Sequence, residues 1–127
     1  MAVEHNFTHP RNLYEKLERD STLLEAEVSG DNFFNFISTA CHLQAWIKNE
    51  AGMKSDAVVK RLIKKIHETP GIRKCEDILA AKKQFRIFTD LINDELIVEI
   101  SDERFNIHEF KNSIMEVYQS YFHVKGH

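Results

Sequence analysis

Residues 31–50 constrain the fold more than any other stretch. Phe33, Phe36, Ile37, Ala40, Cys41, Leu43 and Ile47 recur at helical spacing, and Phe34 and Trp46 widen the apolar face. A helix apolar over so much of its girth belongs at the centre of a bundle, because a surface helix carries a narrower stripe.

The flanking sequence reads as its partners. Thr8 offers an N-cap and Pro10 suits the first turn of a helix over about 9–27, striped by Leu13, Tyr14, Leu17 and Leu24. Ser29-Gly30 ends that helix, with Gly30 fitting a left-handed cap. Asp31 restarts the chain as the central helix, which Gly52 closes. Ser55 caps a third helix, with Val58, Val59, Leu62, Ile63 and Ile66 facing inward. Pro70-Gly71 is a break, and a fourth helix follows with Ile72, Cys75, Ile78 and Leu79 inward, ending near Phe85. The period then changes. Leu96–Ile100 and Arg104–Ile107 flank Ser101-Asp102-Glu103, which predicts a small hairpin packed on the helices. Phe110, Ile114, Val117, Tyr118, Tyr121 and Phe122 define a last helix over about 107–123. The expectation is a mainly α, single-domain bundle over 1–127, of about five helices with a small β-hairpin before the last. Residues 1–7 and 124–127 are expected to be flexible. The length of 127 residues fits one domain, and four Gly and two Pro are too few for a many-turned β-sandwich.

The net charge of −3 hides a segregation. Residues 54–86 hold ten basic and four acidic side chains, a net +6, whereas 1–53 carry −4 and 87–127 carry −5. A basic middle between acidic ends is either a solvated helical face or a patch for an anionic partner. An overall pI of 6.2 speaks against strong nonspecific nucleic-acid binding. No apolar run approaches the roughly 18 residues of a membrane span. The opening Met1-Ala2-Val3-Glu4-His5 lacks the basic and apolar regions of a secretory signal, so the expected location is the cytoplasm. Cys41 and Cys75 fall in apolar helical patterns and read as small buried hydrophobes of a reducing compartment.

Chemistry-bearing residues are few. Arg61 and His67 form an Arg-x5-His pair, within the Arg-x4-6-His spacing of metal-independent ribonucleases of the HEPN class. An imidazole can move the proton of a ribose 2′-hydroxyl, and a guanidinium can hold the phosphate. Yet six residues span about 1.7 turns, so the pair shares no face of an unbroken helix. A His near the end of a basic helix also suits the macrodipole. His42 is either a hydrogen-bonded histidine of the bundle or an assisting acid/base group. His5/His9 and His123/His127 have i,i+4 spacing but no further ligand at a matching position, so no metal site is expected. Asp90, Asp94, Glu95, Asp102 and Glu103 crowd the hairpin without forming an EF-hand and read as a solvated acidic rim. No phosphate-binding glycine loop or nucleophile elbow occurs, and no cofactor is expected.

One segment carries a resemblance. Asn35-Phe36-Ile37-Ser38-Thr39-Ala40-Cys41-His42-Leu43-Gln44-Ala45-Trp46 resembles the Asn-Phe-x-x-Thr-Ala-x-His-Leu-x-Asp-Trp helix of small bacterial HEPN-like helical proteins. The opening 9–17 is similar to the first helix of that group, and Cys75–Phe85 is similar to its Cys-Arg-Asp-Ile-x-Asn-x-x-Lys-His-Phe motif. The polar positions of the pattern differ here. Ala45 replaces the Asp, Glu76 the Arg, Ala80 the Asn and Gln84 the His, while the packing positions Leu43, Trp46, Cys75, Ile78 and Phe85 remain. Alanine has no donor or acceptor, and Glu76 repels a phosphate. The resemblance therefore implies a retained scaffold with a dismantled site.

Together these readings give a noncatalytic HEPN-like interaction or regulatory protein. It is expected to present a basic face of Lys60, Arg61, Lys64, Lys65, Lys82 and Lys83 to an acidic protein or nucleic acid. The resemblance suggests a phage defence, counter-defence or toxin–antitoxin setting. The alternative is a small metal-independent ribonuclease using Arg61 and His67, with His42 assisting. A homodimer through the aromatic surface of helices two and five, with Phe34, Trp46 and Tyr121, is compatible with either.

Overall fold

A computed structural model describes residues 7–51 and 57–124. The elements run α1 Pro10–Ala26, α2 Gly30–Ala51, α3 Ala57–Glu68, α4 Pro70–Leu79, β1 Phe85–Asp90, β2 Glu95–Ile100, β3 Glu103–Asn106 and α5 Ile107–Val124. Five helices and an antiparallel sheet before the last of them are what the periodicity predicts. The predicted hairpin is β2–β3, and β1 joins it to make a three-stranded meander in the order β1-β2-β3.

As its pattern requires, α2 is the centre. Phe33, Phe36, Ile37, Ala40 and Leu43 have no exposed surface. They pack against Leu17 and Leu24 of α1, Ile72 and Cys75 of α4, and Ile114 and Tyr118 of α5 in one cluster. A polar clamp pins α1 to α2 beside this cluster. The buried Asp20 carboxylate accepts from Thr39 Oγ1 at 2.6 Å and Lys16 Nζ at 2.7 Å. The Tyr118 hydroxyl donates to the Ala40 carbonyl and ties α5 to α2. Gly71 marks the close approach of α4 and α5, since a Cβ there would stand 3.0 Å from Ile114 Cγ1.

Several expectations change at helix ends. The residue before α1 is His9 rather than Thr8, because Asn12 Oδ1 reaches back to accept from both the His9 and Thr8 N–H groups. Gly30 is the first residue of α2 and not a left-handed cap. The cap is Ser29, whose Oγ accepts from the Asn32 N–H at 3.1 Å. The fourth helix stops at Leu79, six residues before Phe85. Ala81 takes the left-handed conformation with φ 59°, the Lys82 N–H bonds to Asp77 O, and the Ala81 N–H bonds to Ile78 O. That is a Schellman stop with alanine where glycine is usual. Phe85 therefore opens β1, and its ring packs 5.0 Å from Phe33. Val124 closes α5, so the helix runs one residue further than expected. The caps assigned to Gly52 and Ser55, His5, His127, and residues 1–6 and 125–127 lie outside the described residues.

The sheet lays one face on the helices. Val98 and Ile100 are buried, and Phe105 packs 5.4 Å from Phe110 of α5. On the other face, the register sets Glu99 opposite Arg86 on one side and Arg104 on the other. Its carboxylate accepts from Arg86 Nε at 2.6 Å and Arg104 Nε at 2.9 Å. These two bonds hold its carboxyl down at about 2. Both guanidinium groups also lie over the Phe88 ring.

Candidate functional site

The basic block of the sequence does not form one patch. In α3, Ile66 is buried and Val59, Leu62 and Ile63 are half-buried, so Lys60, Arg61, Lys64 and Lys65 face solvent. Val58, expected inside, is 45% exposed in the first turn of α3. Arg61, Lys64 and Lys65 line a groove of about 410 Å3 that ends at Glu68, Thr69 and Pro70. Among the described residues, Lys60, Arg61 and Lys65 have no ion-pair partner, and Lys64 meets Glu68 only at 3.8 Å with both side chains exposed. Such a pair is worth little.

Lys82 and Lys83 sit elsewhere. They line a polar groove of about 350 Å3 at the α4–β1 turn, with Gln84, Arg86, Glu99 and Ser101. Lys83 Nζ lies 3.7 Å from Asp77 Oδ2. Ten residues of α4 separate this turn from Thr69, and a helix of that length spans about 15 Å. The two lysines are therefore at the far end of α4 from the α3 ridge.

Arg61 and His67 are not brought together. Because α3 is continuous from Ala57 to Glu68, no kink rotates one toward the other. His67 turns to α2, where its Nδ1 lies 3.1 Å from Gln44 Nε2 and 3.5 Å from Lys48 Nζ. The signal for this contact is the buried Gln44, which the resemblance treats as a variable position. His42 lies on the exposed side of α2, with Asn35 and Ala45 of the same motif. The packing half of that motif is buried at Phe36, Thr39, Ala40 and Leu43. Glu76, Ala80 and Gln84 are likewise exposed.

Burial, with Glu76 nearby, pushes Cys41 up to about 11, and Cys75, fully buried, lies well above the usual thiol range. Both are free. Among the described residues no group of three or more His, Cys, Asp or Glu could hold a metal ion, and no helix is long and apolar enough to cross a membrane.

The aromatic dimer surface is mostly covered. Tyr121 is 1% exposed and Trp46 is half-buried, leaving Phe34 as the one exposed member of the three. The acidic rim is put to structural use. Glu103 pairs with Lys74 at 3.1 Å, and Asp90 closes the β1–β2 turn through the Ile92 N–H and Asn93 Nδ2. Within that turn Leu91 and Ile92 are 91% and 92% exposed, a pair that the sequence pattern does not single out. The signal was a Leu-Ile pair between two aspartates, outside any periodic stripe. Comparison of the chain with family models, curated proteins and solved structures finds no match.

Proposed function

We propose that this is a noncatalytic interaction protein that holds an acidic protein segment along the outer face of α3. The observation that carries the reading is the row Lys60, Arg61, Lys65, mounted on one rigid helix and lacking ion-pair partners among the described residues. Unpaired cations on a fixed ridge attract an anionic segment without first breaking internal pairs. Lys82 and Lys83 contribute only to a segment long enough to run along α4. An acidic protein is favoured over nucleic acid because α3 carries no Phe, Tyr or Trp on which a base could stack. The HEPN-like resemblance of α2 agrees with this reading, since its packing residues persist and its polar ones are replaced. A defence, counter-defence or toxin–antitoxin setting goes with that resemblance.

The test is fluorescence anisotropy with a labelled polyglutamate peptide and a single-stranded RNA of equal charge. The peptide is expected to bind in a salt-sensitive manner. K60E/K64E/K65E, its fold verified by circular dichroism, is expected to lose about tenfold or more in affinity. Equal binding by the variant would overturn the reading, and preference for the RNA would shift it to nucleic acid. The ribonuclease alternative draws on one contact. Gln44 and Lys48 occupy His67 Nδ1 and leave Nε2 for a substrate. RNA cleavage that persists in EDTA and vanishes in His67→Ala would establish it.

A further inference from the structure

We propose that the acidic segment held by the α3 ridge is the β1–β2 turn of a second copy of this chain. This rests on the reading of the ridge above. β1 and β2 pair without interruption out to Asp90 opposite Glu95, so residues 91–94 form a closed loop beyond the sheet. Asp90 accepts from the Ile92 N–H at 2.9 Å and from Asn93 Nδ2 at 3.2 Å, and Asp94 takes φ 54°. The loop thus presents Leu91 and Ile92 on a fixed frame, flanked along the chain by Asp90, Asp94 and Glu95, with no basic residue from 87 to 103. Two neighbouring large apolar side chains more than nine-tenths exposed are what a docking tip looks like.

The receptor has matching chemistry in matching order. The basic groove of Arg61, Lys64 and Lys65 ends at Thr69 and Pro70. A second groove, of about 400 Å3, shares those two residues and is lined by Phe105 and Phe110, with Lys74, Arg104 and Glu109 among its charged residues. Cations thus stand beside an apolar cleft, as acids stand beside Leu91 and Ile92 on the tip. The other grooves fit less well. The one along α1 sets two carboxylates, Glu15 and Glu18, against the single cation Arg19, and the one at the α4–β1 turn is lined mainly by polar residues. An anionic lipid surface is disfavoured by the same three carboxylates. Leu91 and Ile92 are exposed within one molecule, so this turn does not fill the cleft of its own chain and the contact joins two copies. Tip and cleft are different surfaces, so the contact is head-to-tail.

The test is sedimentation velocity on the full chain, from low to high micromolar concentration, at low and high salt. The wild type is expected to sediment faster as concentration rises and slower as salt rises. L91S/I92S and K64E/K65E are each expected to weaken association about tenfold or more, with unchanged thermal midpoints. Mixing the two variants is expected to yield a dimer that does not grow, because one supplies only a tip and the other only a ridge. A monomeric wild type that still binds polyglutamate through the ridge would overturn this inference and leave the ridge reading standing. Association unchanged in L91S/I92S would overturn it as well. Association lost in L91S/I92S but intact in K64E/K65E would remove the ridge as receptor.

Discussion

The helical interior and the sheet hold themselves together by different physics. Around α2, Phe33, Phe36 and Ile37 are wholly buried, and apolar contact dominates the attachment, with the Asp20–Thr39 clamp and the Tyr118 hydroxyl adding a few directed bonds. The sheet buries Val98 and Ile100 on the face that meets the helices, with Ile97 covered on the other. Its other face relies on the Arg86–Glu99–Arg104 ladder laid over Phe88. The difference teaches where the molecule meets its surroundings. A region stabilised by charge at its surface responds to pH and salt, and this one also ends in Leu91 and Ile92, the most exposed large apolar side chains among the described residues.

The comparison breaks first in the interior. Phe36→Ala is expected to cost about 3–5 kcal/mol in urea-induced unfolding, because the centre of the bundle has no room to collapse around the lost ring. A loss below about 1 kcal/mol would mean that α2 is less central than its burial indicates.

The sheet is expected to respond to acid instead. The Glu99 carboxyl is held at about 2, below its ordinary 4.5, by its bonds to Arg86 and Arg104. Its contribution is therefore complete above about pH 4.5 and is lost as pH falls toward 2. Glu99→Gln is expected to be less stable than wild type at neutral pH and to show a shallower decline across that window. Parallel declines in thermal midpoint would show that the ladder does not anchor the sheet.

The smallest effect lies at the joint between the two regions. Ala81 holds φ 59° at the end of α4, a conformation costly for a side chain with a Cβ. Ala81→Gly is expected to stabilise the chain by about 0.5–1 kcal/mol, measured by urea unfolding. A destabilising glycine would mean that the helix stop is not strained.

The buried stripes could be read from spacing alone. Leu13, Leu17 and Leu24, and Phe33, Phe36 and Ile37, repeat at the helical period, and that period has one geometric meaning. The end of α4 could not be read this way. Cys75, Ile78 and Leu79 continue smoothly toward Phe85, and only the left-handed turn at Ala81 stops the helix. No local propensity favours alanine in that role; the packing of Phe85 against Phe33 goes with it. β1 was missed for the same reason, since its pairing is set by β2 across the sheet.

The candidate site divides similarly. The outward row of α3 was legible because cations and aliphatic residues alternate with the helical period. Its separation from Lys82 and Lys83 was not, because the distance depends on where α4 ends. Sequence by itself determined which residues are apolar, which helices they stripe and how charge divides along the chain. Those properties belong to neighbours a few positions apart. Tertiary structure alone decided that His67 meets Gln44, that Tyr121 is covered, and that Leu91 and Ile92 are not. Each of those outcomes depends on which distant segment arrives to cover a side chain, and spacing along one element carries no record of it.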